Sequence, residues 1–190
     1  MIFLILFCFY ILILFYFLIG TTYFKSKYNI KLDIPGVSVI VAIRDGGLST
    51  NNIIKFLQNQ TYRGNLEFIL VDDESTDNTK NIIQTIAKED SRFQYTTSKK
   101  GDSHLKRKQK ALDAGIAKAS FNHLLFTDVD CHIPKKWVAT MEQYYSSGYN
   151  YLVGNSIVNI NNDFNFISLF QRIDFLLLMI ICRASSYFKV

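Results

Sequence analysis

Residues 66–86, LEFILVDDESTDNTKNIIQTI, pass from an apolar run through an acidic turn into a helical pattern. Leu66–Val71 reads as a strand. Ser75, Thr76 and Asp77 are residue types that cap a helix, and Ile82, Ile83 and Ile86 then fall on one helical face. The same β-then-α unit recurs on both sides. Upstream, Val37–Ile43 (VSVIVAI) is β-branched and continuously apolar, as a strand buried on both faces should be. Asp45-Gly46-Gly47 breaks it, and Ile53, Ile54 and Leu57 mark a short helix over Asn51–Gln58. Downstream come a short strand, Phe93–Thr96, and a helix carrying Leu112, Gly115, Ile116 and Ala119. A fourth strand, Phe121–Thr127, leads to a helix with Pro134 in its first turn and Trp137, Val138 and Met141 on its face. Tyr151–Val158 reads as a fifth strand. Phe166, Leu169, Phe170, Ile173, Leu177 and Ile180 mark a last amphipathic helix. Strands alternating with helices predict an α/β fold with a mostly parallel, doubly wound sheet.

Ligands of such sheets bind beyond the C-terminal ends of the strands. Two of those loops are acidic: Asp72-Asp73-Glu74-Ser75-Thr76-Asp77 and Thr127-Asp128-Val129-Asp130. Asp128 and Asp130, two apart, share a face if the segment is extended. Carboxylates that close are unfavourable unless a cation joins them, and hard oxygen ligands suit Mg²⁺ or Mn²⁺. Either loop alone reads as a helix cap or a turn; two at one sheet edge point to a site. The net charge of +5 has an address as well: Lys99, Lys100, Lys106, Arg107, Lys108 and Lys110, against Asp102, account for all of it. A uniformly basic nucleic-acid surface is therefore excluded. Lysines at the start of the helix over Leu112–Ala119 stand where the macrodipole disfavours them, which points to a bound phosphate.

The chain has 190 residues, of which 49% are hydrophobic. Residues 2–19, IFLILFCFYILILFYFLI, are apolar throughout. As a helix they would reach about 27 Å, close to the hydrocarbon thickness of a bilayer. No basic residue precedes them and no small-residue cleavage site follows, so residues 1–24 read as an uncleaved transmembrane anchor rather than a signal peptide. Lys25, Lys27 and Lys31 all lie on the C-terminal side, which orients the remainder to the cytoplasm. Residues 25–36, ending in Pro35-Gly36, read as a linker, and residues 37–190 as one domain. Only 2 prolines and 15% aromatic residues exclude disorder; 3 scattered cysteines exclude a disulfide scaffold.

The order VSVIVAIRD, FLQNQTY, FILVDDESTDNT, KALDAGIAKA and LLFTDVDCHIPKKWV resembles the family 2 glycosyltransferases over about residues 37–183. The resemblance implies a GT-A fold and transfer of a sugar from a nucleotide diphosphate sugar to an acceptor hydroxyl. It assigns Arg44 and Asp73, with Asp72 beside it, to the nucleotide; Lys108 to the diphosphate; and Asp128 and Asp130 to a D-x-D motif whose second aspartate binds Mg²⁺ or Mn²⁺. Gly46 and Gly47 stand where acidic residues are usual, and Asp113 where Asn is. The implied partners are the donor, the lipid bilayer at the inner (cytoplasmic) membrane, and either a C-terminal half or a polysaccharide-synthesis complex; nucleic acid is not among them.

The family's general base lies in a later motif that this sequence does not contain, so no catalytic residue is assigned. The expectation is that residues 37–190 form the donor-binding portion of a longer enzyme. Glu142 and Asp163 lie outside any matching motif. The competing reading is a non-catalytic remnant that binds nucleotide sugar without transferring it. A phosphoacceptor receiver domain would need a lysine ending its fifth strand, where Val153-Gly154-Asn155 has none. A nucleotide-dependent dehydrogenase would need G-x-G-x-x-G, which Asp45-Gly46-Gly47-Leu48 is not.

Overall fold

The computed structural model describes residues 2–23, 34–154, 156 and 166–188. They fall in two units, Met1–Tyr28 with Val153–Val190, and Asn29–Leu152.

The second unit is built on a four-stranded sheet of β1 (Val37–Ile43), β2 (Leu66–Asp72), β3 (Phe93–Thr97) and β4 (His123–Phe126), in the order β3-β2-β1-β4. All pairings are parallel. Side chains alternate between the two faces of a strand, and here both faces are covered. Val37, Val39, Val41, Ile43, Phe68 and Leu70 pack with Ile53, Ile54 and Leu57 of α2 (Gly47–Gln58), Ile83 and Ile86 of α3 (Thr79–Glu89), and Val138 of α5 (Trp137–Ser146). On the other face Ile40, Ile69 and Val71 meet Ala111 and Ala114 of α4 (Lys108–Lys118). Burying each large aliphatic side chain there is worth about 1.5–3 kcal/mol. The contact with α4 is close: a Cβ on Gly115 would lie 2.4 Å from Ile40 Cγ2. This two-sided cover is why β1 and β2 read as unbroken apolar runs.

One buried carboxylate ties the N-terminal ends of the strands together. Glu67 is 7% exposed. Its Oε1 accepts from Ser38 Oγ and the Ser120 amide, both at 2.6 Å. Its Oε2 accepts from Gln94 Nε2 at 2.7 Å and Ser120 Oγ at 3.0 Å. Ser38 Oγ in turn accepts from the Phe121 amide at 3.2 Å. This network brings the entry of β4 beside β1, and it explains why β4 starts at His123 rather than at Phe121. The Phe121 amide is spent on Ser38, not on the ladder.

Three further features differ from the sequence reading. Helix α2 begins at Gly47 rather than Asn51, because the glycine turn itself opens the helix, with Gly47 at φ +49°. Pro134 lies ahead of α5 and not in its first turn; its carbonyl accepts from the Trp137 amide at 3.0 Å. Tyr151–Gly154 form no strand, and the rest of the expected fifth strand lies outside the described residues apart from Ser156. Of the expected linker, residues 25–33 also lie outside them, as does Asp163. Glu142 is buried on α5 and accepts a hydrogen bond from Ser146 Oγ, a structural use.

The other unit holds α1 (Ile2–Tyr23) and α6 (Phe166–Phe188), which pack against each other. The side chains of α1 from Phe3 to Phe17 are nearly all exposed. Among the described residues, no helix is long and apolar enough to cross a membrane. A helix is present where residues 1–24 were read as an anchor, as α1.

Candidate functional site

In the order β3-β2-β1-β4, the chain leaves β1 toward β2 on one side and reaches β4 on the other, so the sheet's switch point lies between β1 and β4. That crevice, at the C-terminal ends of the strands, is where open α/β sheets bind ligands. Strand β4 ends at Phe126, which pairs with Ile40, three residues before β1 ends. Thr127–Asp130 therefore form a loop past β4 on the C-terminal side. Its Val129 approaches the loop after β1: a Cβ on Gly46 would lie 3.3 Å from Val129 Cγ2. The segment is a turn, not extended, with the Cys131 amide donating to the Asp128 carbonyl at 3.3 Å. The two-residue spacing of Asp128 and Asp130 thus does not by itself place them on one face, as an extended chain would.

Both carboxylates are exposed, and the Lys108 ammonium at the first residue of α4 pairs with Asp128 Oδ1. The two partners are 57% and 55% exposed, so the pair adds little stability. Its value is as a position marker: it brings the basic start of α4 and the acidic loop after β4 together. Lys106 and Arg107 stand beside it, with Arg107 at φ +52°. Among the described residues, no group of three His, Cys, Asp or Glu side chains could hold a metal. A hard divalent ion such as Mg²⁺ can take one or two carboxylates and complete its shell with phosphate oxygens and water, which the exposed carboxylates of this loop are chemically suited to supply.

The loops after β1 and β2 are joined by hydrogen bonds that sequence reading did not find. Asp45, at φ +46°, sends Oδ1 to the Thr76 amide at 2.6 Å, to Thr76 Oγ1 at 3.1 Å and to the Asp77 amide at 3.3 Å. The Asp45 amide donates to Ser75 Oγ at 3.1 Å, the Gly46 amide to Thr79 Oγ1 at 2.9 Å, and the Gly47 amide to Asp77 Oδ2 at 3.0 Å. Asp77 Oδ1 meanwhile accepts from the Thr79 amide at 2.9 Å. The Thr76 amide, aided by its hydroxyl and the Asp77 amide, holds the Asp45 carboxyl below its ordinary value, although the Asp77 charge opposes this. Asp77 is lowered chiefly by the Thr79 hydroxyl and amide, with the Gly47 amide adding to them. The available signal was the Ser-Thr-Asp-Asn-Thr run, which reads locally as a helix cap; that it also reaches across to another strand's loop is a tertiary fact.

The remaining expected residues divide. Arg44 is exposed immediately before Asp45. Asp73 is half-buried, and its amide donates to the Ile43 carbonyl at 2.8 Å, which sets it beside the end of β1. Asp72 is only 5% exposed and its Oδ1 accepts from the Ser75 amide at 3.1 Å, so it turns its own loop. Burial, together with the Asp72 charge, pushes the Tyr95 phenol above its ordinary value. A cavity of about 490 Å³ lies at the opposite, N-terminal edge of the sheet. Several of its polar side chains are spent within the protein: Gln60 on backbone groups of Phe56, Pro134 and Val138, Arg92 on Asp90, and Gln94 on Glu67. It is not the candidate site.

The sequence matches Glycosyl transferase family 2 over residues 38–187. The chain belongs to this family. It is 30% identical over 138 residues to a GalNAc(5)-diNAcBac-PP-undecaprenol beta-1,3-glucosyltransferase of Campylobacter jejuni, covering 69% of this chain and 42% of that protein. To the glycosyltransferase GlyG of Streptococcus pneumoniae it is 28% identical over 133 residues, covering 68% and 42%. The mannosyltransferase PcManGT of Pyrobaculum calidifontis, solved with GDP-Man and Mn²⁺, superimposes with a TM-score of 0.55 at 22% identity, over 70% of this chain and 39% of that one. That likeness shows the GT-A-type fold. This family 2 chain spans less than half the length of the two curated relatives it matches here.

Proposed function

We propose that the chain binds a nucleotide diphosphate sugar in the crevice between β1 and β4 and supplies the donor side of glycosyl transfer. Arg44 and Asp73 take the nucleotide. Lys108 contacts the diphosphate, and Asp130 with Asp128 would hold a Mg²⁺ or Mn²⁺ ion. In the transfer, an acceptor hydroxyl oxygen bonds to the anomeric carbon, the bond from that carbon to the diphosphate oxygen breaks, and the hydroxyl proton passes to a base. Charge grows on the leaving diphosphate. Lys108 is placed to stabilise it, and a bound divalent ion would neutralise it further. The observation that carries this reading is the meeting of the α4 start with the Thr127–Asp130 loop through Lys108 and Asp128, at the sheet's switch point.

Calorimetric titration of the full chain with UDP and GDP, with and without Mn²⁺, tests it. Saturable, Mn²⁺-dependent binding is expected; no binding of either nucleotide overturns it. Release of sugar from a donor then separates a transferase from a binder without turnover.

The proposal extends to location. Helix α1 carries the apolar run of residues 2–19 and exposes Phe3, Leu4, Phe9, Leu12 and Phe15. Such a helix suits a single-pass anchor at the inner membrane, with Lys25, Lys27 and Lys31 on the cytoplasmic side. The full chain should sediment with membranes and resist alkaline carbonate; its release into the supernatant would refute the anchor.

A further inference from the structure

We propose that Asp45 is a positioning residue that presents Arg44 and Asp73 to the ligand by locking the loop after β1 onto the loop after β2. The inference deepens the proposed function and rests on that reading for its ligand, but its structural half stands on geometry alone.

One carboxylate oxygen of Asp45 gathers three donors from the neighbouring loop, and its amide donates back to Ser75 Oγ. The exchange is reciprocal, since Asp77 of the second loop accepts from the Gly47 amide of the first. Two residues sit in the left-handed region where side chains are disfavoured, Asp45 at φ +46° and Glu74 at φ +58°. Each flanks an expected nucleotide contact: Asp45 follows Arg44, and Glu74 follows Asp73. Such angles are uncommon for non-glycine residues and are held by their surroundings: at Asp45 by the cross-loop bonds, at Glu74 by the turn that the Ser75 amide closes on Asp72 Oδ1 within its own loop. Arg44 is exposed and Asp73 half-buried, with the Asp73 amide donating to the Ile43 carbonyl where the β1–β2 pairing ends. Beyond that bond, the clasp is what joins the two loops. None of its carboxylate groups is buried, so it contributes little to the core. Its effect is to arrange the loops before a ligand arrives, which lowers the ordering cost of binding.

The test compares the full chain with Asp45→Ala and Asp45→Asn, by hydrogen exchange and by UDP or GDP titration with Mn²⁺. In Asp45→Ala, exchange should quicken at Gly46, Gly47, Thr76 and Asp77 while the amides of β1 and β2 keep their protection. Affinity should fall roughly tenfold. Asn keeps one acceptor oxygen and should restore most of both. Affinity within twofold of the wild type in Asp45→Ala, or a loss that tracks deprotection of the whole sheet, overturns the proposal. If the wild type binds neither nucleotide, the functional reading fails separately. The clasp is then judged on exchange alone: loop-confined quickening supports it, and unchanged or global exchange overturns it.

Discussion

The two ends of the sheet use carboxylates in opposite ways. At the N-terminal end, Glu67 is buried and takes four hydrogen bonds from three segments of chain. At the C-terminal end, Asp128 and Asp130 lie exposed in a loop, and Asp128 holds a single ion pair with Lys108. A buried carboxylate whose acceptor sites are filled within the chain organises the fold and has little left to offer a ligand. An exposed one with open acceptor sites contributes little to the fold and can be spent on a cation. Asp45 and Asp77 stand between these extremes: they are exposed, yet committed to a neighbouring loop.

That contrast can be broken by substitution. Glu67→Ala leaves the Ser120 amide and the Gln94 side chain without their acceptor and should lower unfolding free energy by about 3 kcal/mol, read by urea denaturation. Nucleotide affinity of the fraction that remains folded should not change; a selective loss of affinity would mean that the two ends are coupled. Asp130→Ala should do the reverse. Mn²⁺-dependent nucleotide affinity should fall roughly thirtyfold, the equivalent of about 2 kcal/mol for a charged contact, with the urea midpoint unmoved. Lys108→Ala should cost roughly two- to fivefold in the same titration, since an exposed lysine contributes about 1 kcal/mol or less. A gain in affinity would show that its pairing with Asp128 competes with the metal.

The smallest expected effect is on pH dependence. Asp45 and Asp77 are both held below the ordinary carboxylate value of 3.8. A depressed folded-state value means that their contribution is complete above the unfolded value and is lost as pH falls through the folded one. Thermal midpoints should therefore be insensitive to these groups above about pH 5 and decline below pH 3.8. The double variant Asp45→Asn, Asp77→Asn should show a shallower decline; an identical acid profile would remove the clasp from the acid response.

Much of this arrangement was legible beforehand. Strand β1 was read to the residue, because a run covered on both faces announces itself by continuous β-branched residues. The second strand and the α3 helix followed from their periods, and α4 was expected in the right place but not with the right face: it buries Ala111, Ala114 and Gly115, while Ile116 is exposed and Ala119 lies past its end. The short β4 did not, because its start depends on where the Phe121 amide finds an acceptor, and that acceptor is Ser38, 83 residues away. Asp128, Asp130 and Lys108 were singled out from charge placed after a strand or at the start of a helix, and of these the structure pairs Lys108 with Asp128. Asp72 was read together with Asp73 as a ligand contact, since the sequence does not tell which of two adjacent aspartates turns inward. Asp45 was passed over as part of a glycine break.

The sequence by itself determined the alternation of strands and helices, the family, and the loops that carry charge. These follow from local periodicity and from residue types whose chemistry is intrinsic. Tertiary structure alone decided which carboxylates are consumed and which remain available. Glu67, Asp72, Asp45 and Asp128 have the same kind of functional group, and each acquires its role from donors that other segments bring within about 3 Å. Hydrogen bonds act only over that range, and the pairing of β1 with β2 and β4 is what brings those donors close.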